Sequence, residues 1–432
     1  MKELIDQEVN NLIQKELIRQ KEVLNLIASE NYASLEVLKA CGSVLNNKYS
    51  EGYPKKRYYQ GHEFIDDIEL LAIERAKKLF GAEHVNVQSY SGSPANMAVY
   101  HALLKPGQKI MGMRLDMGGH LTHGHSVNFS SKYFESVQYP VDKDTELLDM
   151  ELIRNMALQE KPNILVSGAT AYPRTIDFKA FHEIAEEVGA YSLADISHIA
   201  GLVATNTHPS PFPFTDVVMT TTHKTLRGPR GAMIMCKKVD RLANIQGLEE
   251  KEAEKEKDLA QKIDRAVFPG LQGGPHEHII AGKAIAFKEA LQPDFKNYSE
   301  QIVRNAKALA QTLMENEIKL VTNGTDNHLI LIDLRKFGIG LGKPIAKSLE
   351  KAGICTNCNT VPFDPSTPFK PSGIRIGTPI LTTREMKEHE MHLLGDWMAK
   401  IIKDPDNKDL HKTINNQVKA LCADFPVYLE NQ

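Results

Sequence analysis

The chain has 432 residues, of which 42% are apolar and 25% are charged. This is the composition of an ordinary globular protein with about two to three domains, and it excludes disordered, collagen-like and coiled-coil chains. The net charge of −3 gives no electrostatic reason to expect nucleic acid as a partner. No apolar run reaches the roughly 18 residues that a membrane span needs, so we expect no membrane association.

The N-terminus and the cysteines together predict a cytoplasmic protein. The first eight residues are acidic and amphipathic, unlike a secretory or transit peptide. The five cysteines are sparse and odd in number, which suits a reducing compartment better than a disulfide scaffold.

The first elements along the chain are helical. Residues 1–30 predict an arm that packs against its own domain or a partner subunit, because apolar residues recur there at helical spacing; they are Leu4, Ile5, Val9, Leu12, Ile13, Leu17 and Ile18. Residues 63–80 predict a helix that ends at Gly81. Ser93 and Pro94 predict the start of a helix that runs to Leu104, with Ser93 as its cap.

The next elements predict an α/β domain with a mostly parallel sheet covered by helices. Short apolar runs alternate with helical segments such as 178–188, as in sheets that are buried on both faces. The predicted strands are 109–115, 164–167, 191–194, 217–222 and 232–236. We assign residues 31–284 to this large domain, including the highly charged run 249–258, which predicts a solvated helix.

A smaller α+β domain is predicted over residues 285–432. Helical periods near 276–291, 297–316 and 383–402 surround one predicted strand, 328–334. This domain contains a lone CxxC, Cys355 to Cys358, which lacks the second pair that a zinc ribbon needs and leaves a thiol redox role open. The run Gly338–Lys343 lacks the spacing of a phosphate loop and predicts a turn before a helix.

Three histidines lie close together in the large domain, at positions 120, 123 and 125. A metal site is one interpretation, but no acidic residue or cysteine nearby in the sequence completes a ligand set. We therefore predict no metal.

Candidate functional residues stand at the ends of two predicted strands. Asp195 follows one predicted strand, and His223 and Lys224 follow another, so a carboxylate and a lysine stand at the edge where α/β sheets bind ligands. A lysine that forms a Schiff base and an aspartate that pairs with a pyridinium nitrogen are what pyridoxal phosphate enzymes need. Ser91, Gly92 and Ser93 precede a helix and can seat a phosphate. Each fragment alone has an ordinary structural interpretation, and together they favour pyridoxal phosphate.

The sequence resembles the serine hydroxymethyltransferase family along nearly its whole length. The matching stretches are LIASENYAS (26–34), NKYSEGYPKKRYYQG (47–61), SYSGSPAN (89–96), GGHLTHG (118–124), ADISHIAGL (194–202), TTTHKTLRGPRGA (220–232), VFPGLQGGP (267–275), TDNHLIL (325–331) and SGIRIGTP (372–379). The resemblance implies an aminotransferase-like fold and the reversible conversion of L-serine and tetrahydrofolate to glycine and methylenetetrahydrofolate.

The resemblance also implies roles for individual residues at the cofactor. Lys224 would hold pyridoxal phosphate as a Schiff base, Asp195 would pair with the ring nitrogen, and His120 would stack on the ring. The remaining cofactor-binding residues would be His198, Ser91, Gly92, Ser93, Thr170 and Tyr49, with Gly273 and Gly274 from a neighbouring subunit.

Further roles concern the substrates. Arg375 and Ser29 would bind the amino-acid carboxylate, Glu51 would transfer the proton, and His223 would tune reaction specificity. Tyr59 and Arg230 would complete the amino-acid site, and the folate pocket would comprise Leu115, Gly119, Leu121, Asn359 and Phe369. Because Tyr49, Glu51 and Tyr59 resemble residues that act across an interface, the family pattern implies a homodimer with shared active sites, and leaves open whether dimers pair into tetramers.

The sequence departs from the family pattern at Thr170, where serine is usual, and at Lys55 and Gln60, where glycine is common. The charged run 249–258 is also longer than in compact bacterial members of the family. Two alternatives stay open at this stage. One is an aldolase that uses pyridoxal phosphate on β-hydroxy amino acids without folate. The other is a cofactor-binding or RNA-binding protein whose catalysis is dispensable.

Overall fold

The structure is a computed structural model that describes residues 6–244 and 246–428. The described residues fall into two compact units. The large unit comprises residues 31–300, and the small unit combines the residues up to Glu30 with those from Gln301 onwards. The first five residues of the predicted N-terminal arm, including Leu4 and Ile5, lie outside the described residues.

Helices form a large share of both units. In chain order they are α1 Gln7–Glu22, α2 Leu35–Cys41, α3 Glu63–Phe80, α4 Gly92–Leu103, α5 Phe129–Tyr133, α6 Met150–Glu160, α7 Phe178–Val188, α8 Ala200–Ala204, α9 Glu250–Lys257, α10 Leu259–Arg265, α11 Glu277–Ala290, α12 Pro293–Glu315, α13 Gly342–Lys351, α14 Pro379–Thr383, α15 Glu388–Lys403 and α16 Lys408–Asp424. None of the helices in the described ranges is long and apolar enough to cross a membrane.

The strands are short. In chain order they are β1 Leu24–Asn25, β2 Gly52–Tyr53, β3 Lys56–Arg57, β4 His84–Asn86, β5 Lys109–Met113, β6 Glu135–Tyr139, β7 Ile164–Ser167, β8 Tyr191–Asp195, β9 Val217–Thr221, β10 Ala232–Cys236, β11 Lys319–Leu320, β12 Leu329–Asp333, β13 Ile354–Cys355, β14 Asn357–Asn359 and β15 Gly373–Gly377.

A seven-stranded sheet forms the centre of the large unit. Its order is β4-β10-β9-β8-β7-β5-β6, and β10 alone runs against its neighbours. Every residue of β7, β9 and β10 is buried, as the near-continuous apolar runs of a covered parallel sheet require. The predicted α/β fold with a mostly parallel sheet is confirmed.

Helix α7 shows how the local sequence places a covering helix. The Asp177 carboxylate caps its N-terminus by accepting a hydrogen bond from the Ala180 N–H at 3.0 Å. The helix ends at Gly189, whose φ of 70° lies in the left-handed region that favours glycine. Between these signals Phe178, Phe181 and Ile184 recur at helical spacing and are buried.

The small unit has a four-stranded antiparallel sheet in the order β11-β12-β15-β14. A second, two-stranded parallel sheet pairs β1 with β13, so the segment after α1 joins the same unit. Isoleucines and leucines of β12, β15 and α15 form its core, including Ile330, Ile374 and Leu394. The run Gly338–Lys343 leads into α13, as predicted.

One local expectation is corrected. The cap of α4 is Ser91, not Ser93, because Ser91 is the last residue with an extended backbone and Gly92 is already helical. Helix α1 forms within the predicted arm, and its apolar residues Leu12, Ile13 and Ile18 are each at least half exposed in the single chain. The charged helix α9 has no buried residue, which agrees with a solvated element.

Candidate functional site

Asp195 and Lys224 lie at one edge of the seven-stranded sheet. Asp195 is the last residue of β8, and Lys224 follows the end of β9 by three residues. Strands β8 and β9 are parallel neighbours, so their carboxyl ends meet at the same edge. The topology therefore brings together the two residues that the sequence analysis selected at separate strand ends.

The Asp195 carboxylate is buried and receives three hydrogen bonds. His123 Nε2 and Asn96 Nδ2 both donate to Oδ2 at 3.1 Å, and the Ser197 N–H donates to Oδ1 at 3.1 Å. Burial opposes ionisation, but the bond and charge of His123, with His120 and Ser197, outweigh it and hold the pKa of Asp195 well below its usual range. Asp195 is therefore a permanent negative charge at neutral pH.

His120 is a neutral imidazole with one assigned tautomer. Its Nδ1 accepts the Thr122 N–H at 3.2 Å and lies 2.7 Å from Thr122 Oγ1, which leaves Nε2 as the protonated nitrogen. Burial and then the charge of His123 lower the pKa of His120 to about 4. The Thr170 hydroxyl donates to the Gly119 carbonyl at 2.8 Å and so fixes the backbone beside His120.

His223 is also neutral at pH 7. Burial, then the neighbouring charges of Lys224 and Arg230, lower the pKa of His223 to about 3. Its Nδ1 is buried and has no hydrogen-bond partner among the described residues. A buried polar atom without a partner is uncommon in a folded protein. His198, on the turn after β8, is buried, and Arg230 is exposed.

The N-terminus of α4 forms an anion cradle beside this edge. Ser91 is its cap but makes no side-chain hydrogen bond to the helix backbone, so the first N–H groups of α4 are not capped by it. A Cβ on Gly92 would come within 2.8 Å of Thr221 Cγ2, at the end of β9. Glycine is therefore required here, and it seats the helix N-terminus against the strand end that leads to Lys224.

A second group of predicted residues lies on the β2–β3 hairpin and the loop before α11. The Tyr59 hydroxyl donates to Glu51 Oε2 at 3.0 Å, and Tyr49 packs edge-on against Tyr59. A Cβ built on Gly273 would stand 3.2 Å from Glu51 Oε1, and one on Gly274 would stand 3.2 Å from Tyr49. These five residues form one cluster within a single chain.

Lys55 lies in the turn of the same hairpin, at the position where the family commonly has glycine. Its φ is 65°, in the left-handed region that glycine adopts without strain. Its backbone N–H donates to Asp66 Oδ2 at 2.7 Å, which compensates in part for the missing glycine.

A third group belongs to the small unit. Arg375, on β15, is largely buried and lies 3.5 Å from Ser29 Oγ through Nη2 and 3.2 Å from Asn357 Oδ1 through Nε. Burial lowers the pKa of Arg375 to about 10, so the guanidinium stays charged at neutral pH. Asn359 lies on β14 and bonds to the Thr360 carbonyl, whereas Phe369 is 88% exposed. Arg375 and Ser29 are thus brought together as a carboxylate-binding pair would be.

The other predicted folate residues lie around the turn after β5. Leu115 and Gly119 flank this turn, and a Cβ on Gly119 would come within 2.1 Å of the Met113 carbonyl. Leu121 follows His120 and is 40% exposed.

Sequence reasoning missed the residues that hold these groups in place. His123 and Asn96 bond to Asp195, and a buried set beneath the hairpin contains Arg57, Glu277 and Lys283. His123 drew attention only as one of three clustered histidines, and no spacing pattern marked its partner 72 positions away. No group of three or more metal-ligating side chains with metal-like geometry exists within the described ranges.

Comparison with known proteins identifies close relatives. The profile of the family described as serine hydroxymethyltransferase matches residues 2–398. The chain is 54% identical over 421 residues to the serine hydroxymethyltransferase of Desulfotalea psychrophila, covering 98% of this chain and 94% of that protein. It is 54% identical over 426 residues to that of Methanospirillum hungatei, covering 99% and 98%. The protein of the same name from a Nostoc species is 53% identical over 423 residues, covering 98% and 95%.

Proposed function

Since the chain belongs to the serine hydroxymethyltransferase family, we propose that it transfers a one-carbon unit reversibly from L-serine to tetrahydrofolate, with pyridoxal phosphate as cofactor. The observation that carries the proposal is the meeting of Asp195 and Lys224 at one sheet edge, beside the N-terminus of α4. No feature favours the folate-independent aldolase over this reaction.

The donor set at this edge fits pyridoxal phosphate. The α4 N-terminus suits a phosphate dianion, because its N–H groups and helix dipole favour negative charge. The permanent charge of Asp195 suits a protonated pyridine nitrogen. The neutral rings of His120 and His223 add no positive charge that would oppose protonation of that nitrogen. When bound, the cofactor supplies an electron-accepting ring that stabilises negative charge at the substrate α-carbon.

Each group of the chain then has a task that its surroundings permit. Lys224 would supply the amine that holds the cofactor. Arg375 and Ser29 bind the substrate carboxylate, where a planar guanidinium forms a two-pronged pair that lysine cannot form. Glu51 accepts and returns the proton of the serine hydroxyl, with its carboxylate oriented by the Tyr59 hydroxyl.

We also propose that the chain works as a homodimer whose partners share active sites. The cluster of Tyr49, Glu51, Tyr59, Gly273 and Gly274 supports this proposal, because the family pattern assigns all five to the neighbouring active site and they form one surface in one chain. A heterodimer of one Glu51→Gln chain and one Lys224→Ala chain checks it. Shared sites predict that the mixed dimer is more active than either variant alone, whereas unshared sites predict no gain.

The reaction itself is tested by glycine formation from L-serine, with and without tetrahydrofolate. We expect turnover to require tetrahydrofolate, and Lys224→Ala to lose nearly all turnover and the absorbance of covalently held cofactor. The matched control is Lys237→Ala, because Lys237 follows β10 at the opposite edge of the sheet. Serine cleavage at equal rate without tetrahydrofolate would contradict the proposal and indicate the aldolase.

A further inference from the structure

The backbone of Glu51 is held on both sides by one arginine. Arg57 lies on β3, opposite Gly52 of β2. Its Nη1 donates to the Ser50 carbonyl at 2.8 Å and to the Gly52 carbonyl at 2.9 Å. The Ser50 carbonyl belongs to the peptide unit that joins Ser50 to Glu51, and the Gly52 carbonyl belongs to the unit after Gly52. One side-chain nitrogen therefore holds the backbone both before and after Glu51.

Arg57 is itself fixed by acidic partners. Its Nε donates to Asp66 Oδ1 at 2.9 Å and its Nη2 donates to Glu69 Oε2 at 2.6 Å, both from helix α3. The Arg57 side chain is only 3% exposed. A buried cation with charge-assisted bonds on two sides has little freedom to shift, so α3 sets the position of the guanidinium.

Two further bonds hold the same stretch from other elements. The Ser50 hydroxyl donates to Glu277 Oε1 on α11 at 2.5 Å. Gln88 Nε2 donates to the Gly52 carbonyl at 2.9 Å and to Glu69 Oε1 at 2.8 Å. Gly52 has a φ of 97°, and a Cβ there would meet the Lys56 carbonyl at 2.4 Å, so the chain turns sharply directly after Glu51.

We propose that Arg57 is a positioning residue for the reaction, and that it acts by fixing the Glu51 peptide from the protein interior. The inference rests on the proposed role of Glu51 as the proton-transfer group. Arg57 touches no substrate, because its side chain is enclosed by the hairpin and α3.

The chemistry of the guanidinium explains why an arginine is needed. Its planar fork directs Nη1 to two carbonyls while Nε and Nη2 bond to two different carboxylates. Lysine keeps the charge but offers one nitrogen with three donors, which cannot reach four acceptors arranged around a plane. Arg57→Lys therefore removes the positioning with little change in net charge.

The test is a double-mutant cycle on the full-length, cofactor-loaded protein. We expect Arg57→Lys to lower kcat roughly tenfold to a hundredfold, because a small misplacement of a catalytic group has effects of that size. The KM for serine should change less than about threefold, since Arg375 and Ser29 bind the carboxylate. In a Glu51→Gln background the same substitution should lower kcat by less than about twofold, because the group that it positions is already lost.

The matched control is Arg75→Lys on α3, whose guanidinium bonds to the Ala284 carbonyl at 2.7 Å in the same unit. It should leave kcat and KM as in the wild type. Thermal unfolding of all variants checks the fold. If Arg57→Lys fails to fold, Asp66→Asn takes its place, because it loosens the guanidinium from the more exposed side, with an expected loss in kcat of roughly threefold to tenfold.

The outcomes separate this inference from the proposed function. Equal losses in both backgrounds would mean a general structural role and would overturn the inference. An impaired Glu51→Gln with a fully active Arg57→Lys would overturn it as well, and would leave the proposed function intact. A fully active Glu51→Gln would overturn both the role of Glu51 and the inference that depends on it.

Discussion

Two carboxylates of the large unit, Asp195 and Glu51, are held in opposite ways. Asp195 is buried at a strand end, and its two oxygens accept three hydrogen bonds from side chains and backbone. Glu51 is half-buried on a hairpin, and its carboxylate accepts a bond from the Tyr59 hydroxyl. The bonds from Arg57 hold the backbone carbonyls of Ser50 and Gly52, the residues before and after Glu51, rather than the Glu51 carboxylate.

The difference matches the task proposed for each group. A group that must stay charged needs bonds that favour the ionised form, and Asp195 has them. A group that must exchange a proton needs a reachable carboxylate, so its position has to be set through the backbone. The carboxylate proposed to stay charged is therefore held by hydrogen bonds to its own oxygens. The carboxylate proposed to transfer a proton is positioned by hydrogen bonds to the neighbouring backbone.

The largest expected effect comes from neutralising the constant charge. Asp195→Asn should lower kcat roughly a hundredfold to a thousandfold, because removal of one preorganised electrostatic contact has that magnitude. The affinity for pyridoxal phosphate should fall as well, which an absorbance titration measures separately from turnover.

The control for this variant is Asp216→Asn. Asp216 is equally buried and pairs with Arg241, but it precedes β9 and so lies at the opposite edge of the sheet. It should lower the melting temperature and leave cofactor affinity unchanged. Equal losses of cofactor affinity in both variants would show that burial alone, and not the position of Asp195, is responsible.

The second prediction concerns Glu277, whose carboxylate accepts the hydroxyl of Ser50, the residue before Glu51. Burial raises the pKa of Glu277 to about 7, against 4.5 for the unbonded group, although Ser50 and Arg57 favour its charged form. Between these two pH values the folded chain holds a proton that the unfolded chain has released, so stability falls as the pH rises. The loss should reach about 3 kcal/mol between pH 4.5 and 7.

Glu277→Gln should abolish this part of the pH dependence, measured by urea unfolding at pH 5 and pH 7. Arg57, Asp66, Glu69 and Lys283 also face this buried set, and the charge of Glu277 raises the pKa of Lys283, so that pKa should fall further in Glu277→Gln. Glu289→Gln is the matched control, since Glu289 lies on the same helix and accepts the Ser34 hydroxyl at 2.6 Å nearer to solvent. A wild-type pH dependence in Glu277→Gln would contradict the assignment.

The smallest expected effect tests the partner of Asp195. His123→Gln removes the ring that donates to Oδ2 and should raise the pKa of Asp195 towards its ordinary value. We expect kcat to fall roughly tenfold, which corresponds to about one charge-assisted hydrogen bond. His182→Gln on α7, a buried histidine bonded to Ser192, is the control and should leave kcat unchanged. An unchanged kcat in His123→Gln would show that Asn96 and Ser197 suffice.

Local patterns in the sequence were enough to predict most of the large unit. The run that becomes β9 is Val-Val-Met-Thr-Thr, a short stretch rich in β-branched residues, which favours a buried strand. Helix α3 was predicted with its end at Gly81, because a left-handed residue after a helical period stops a helix. The start of α4 was misplaced by two residues, since Ser91 and Ser93 offer the same local capping signal.

In the candidate site, too, some residues could be selected from the sequence and others could not. Lys224 and Asp195 could be selected from their places at predicted strand ends, and Arg375 from the SGIRIGTP stretch through which the sequence resembles the family. Asn357, which bonds to Arg375, could not be selected, because β14 carries no strand pattern and gains its place only by pairing with β15.

The sequence by itself therefore determined five strands of the large sheet, several covering helices and the residues that stand at two strand ends, since these depend on neighbours along the chain. Only the tertiary structure decided which distant residues support them. His123 reaches Asp195 across 72 positions and Arg57 meets Glu277 across 220, through turns and packing that no local pattern encodes. The physical reason is that a buried charge must find its partners in space, and packing of whole elements sets those distances.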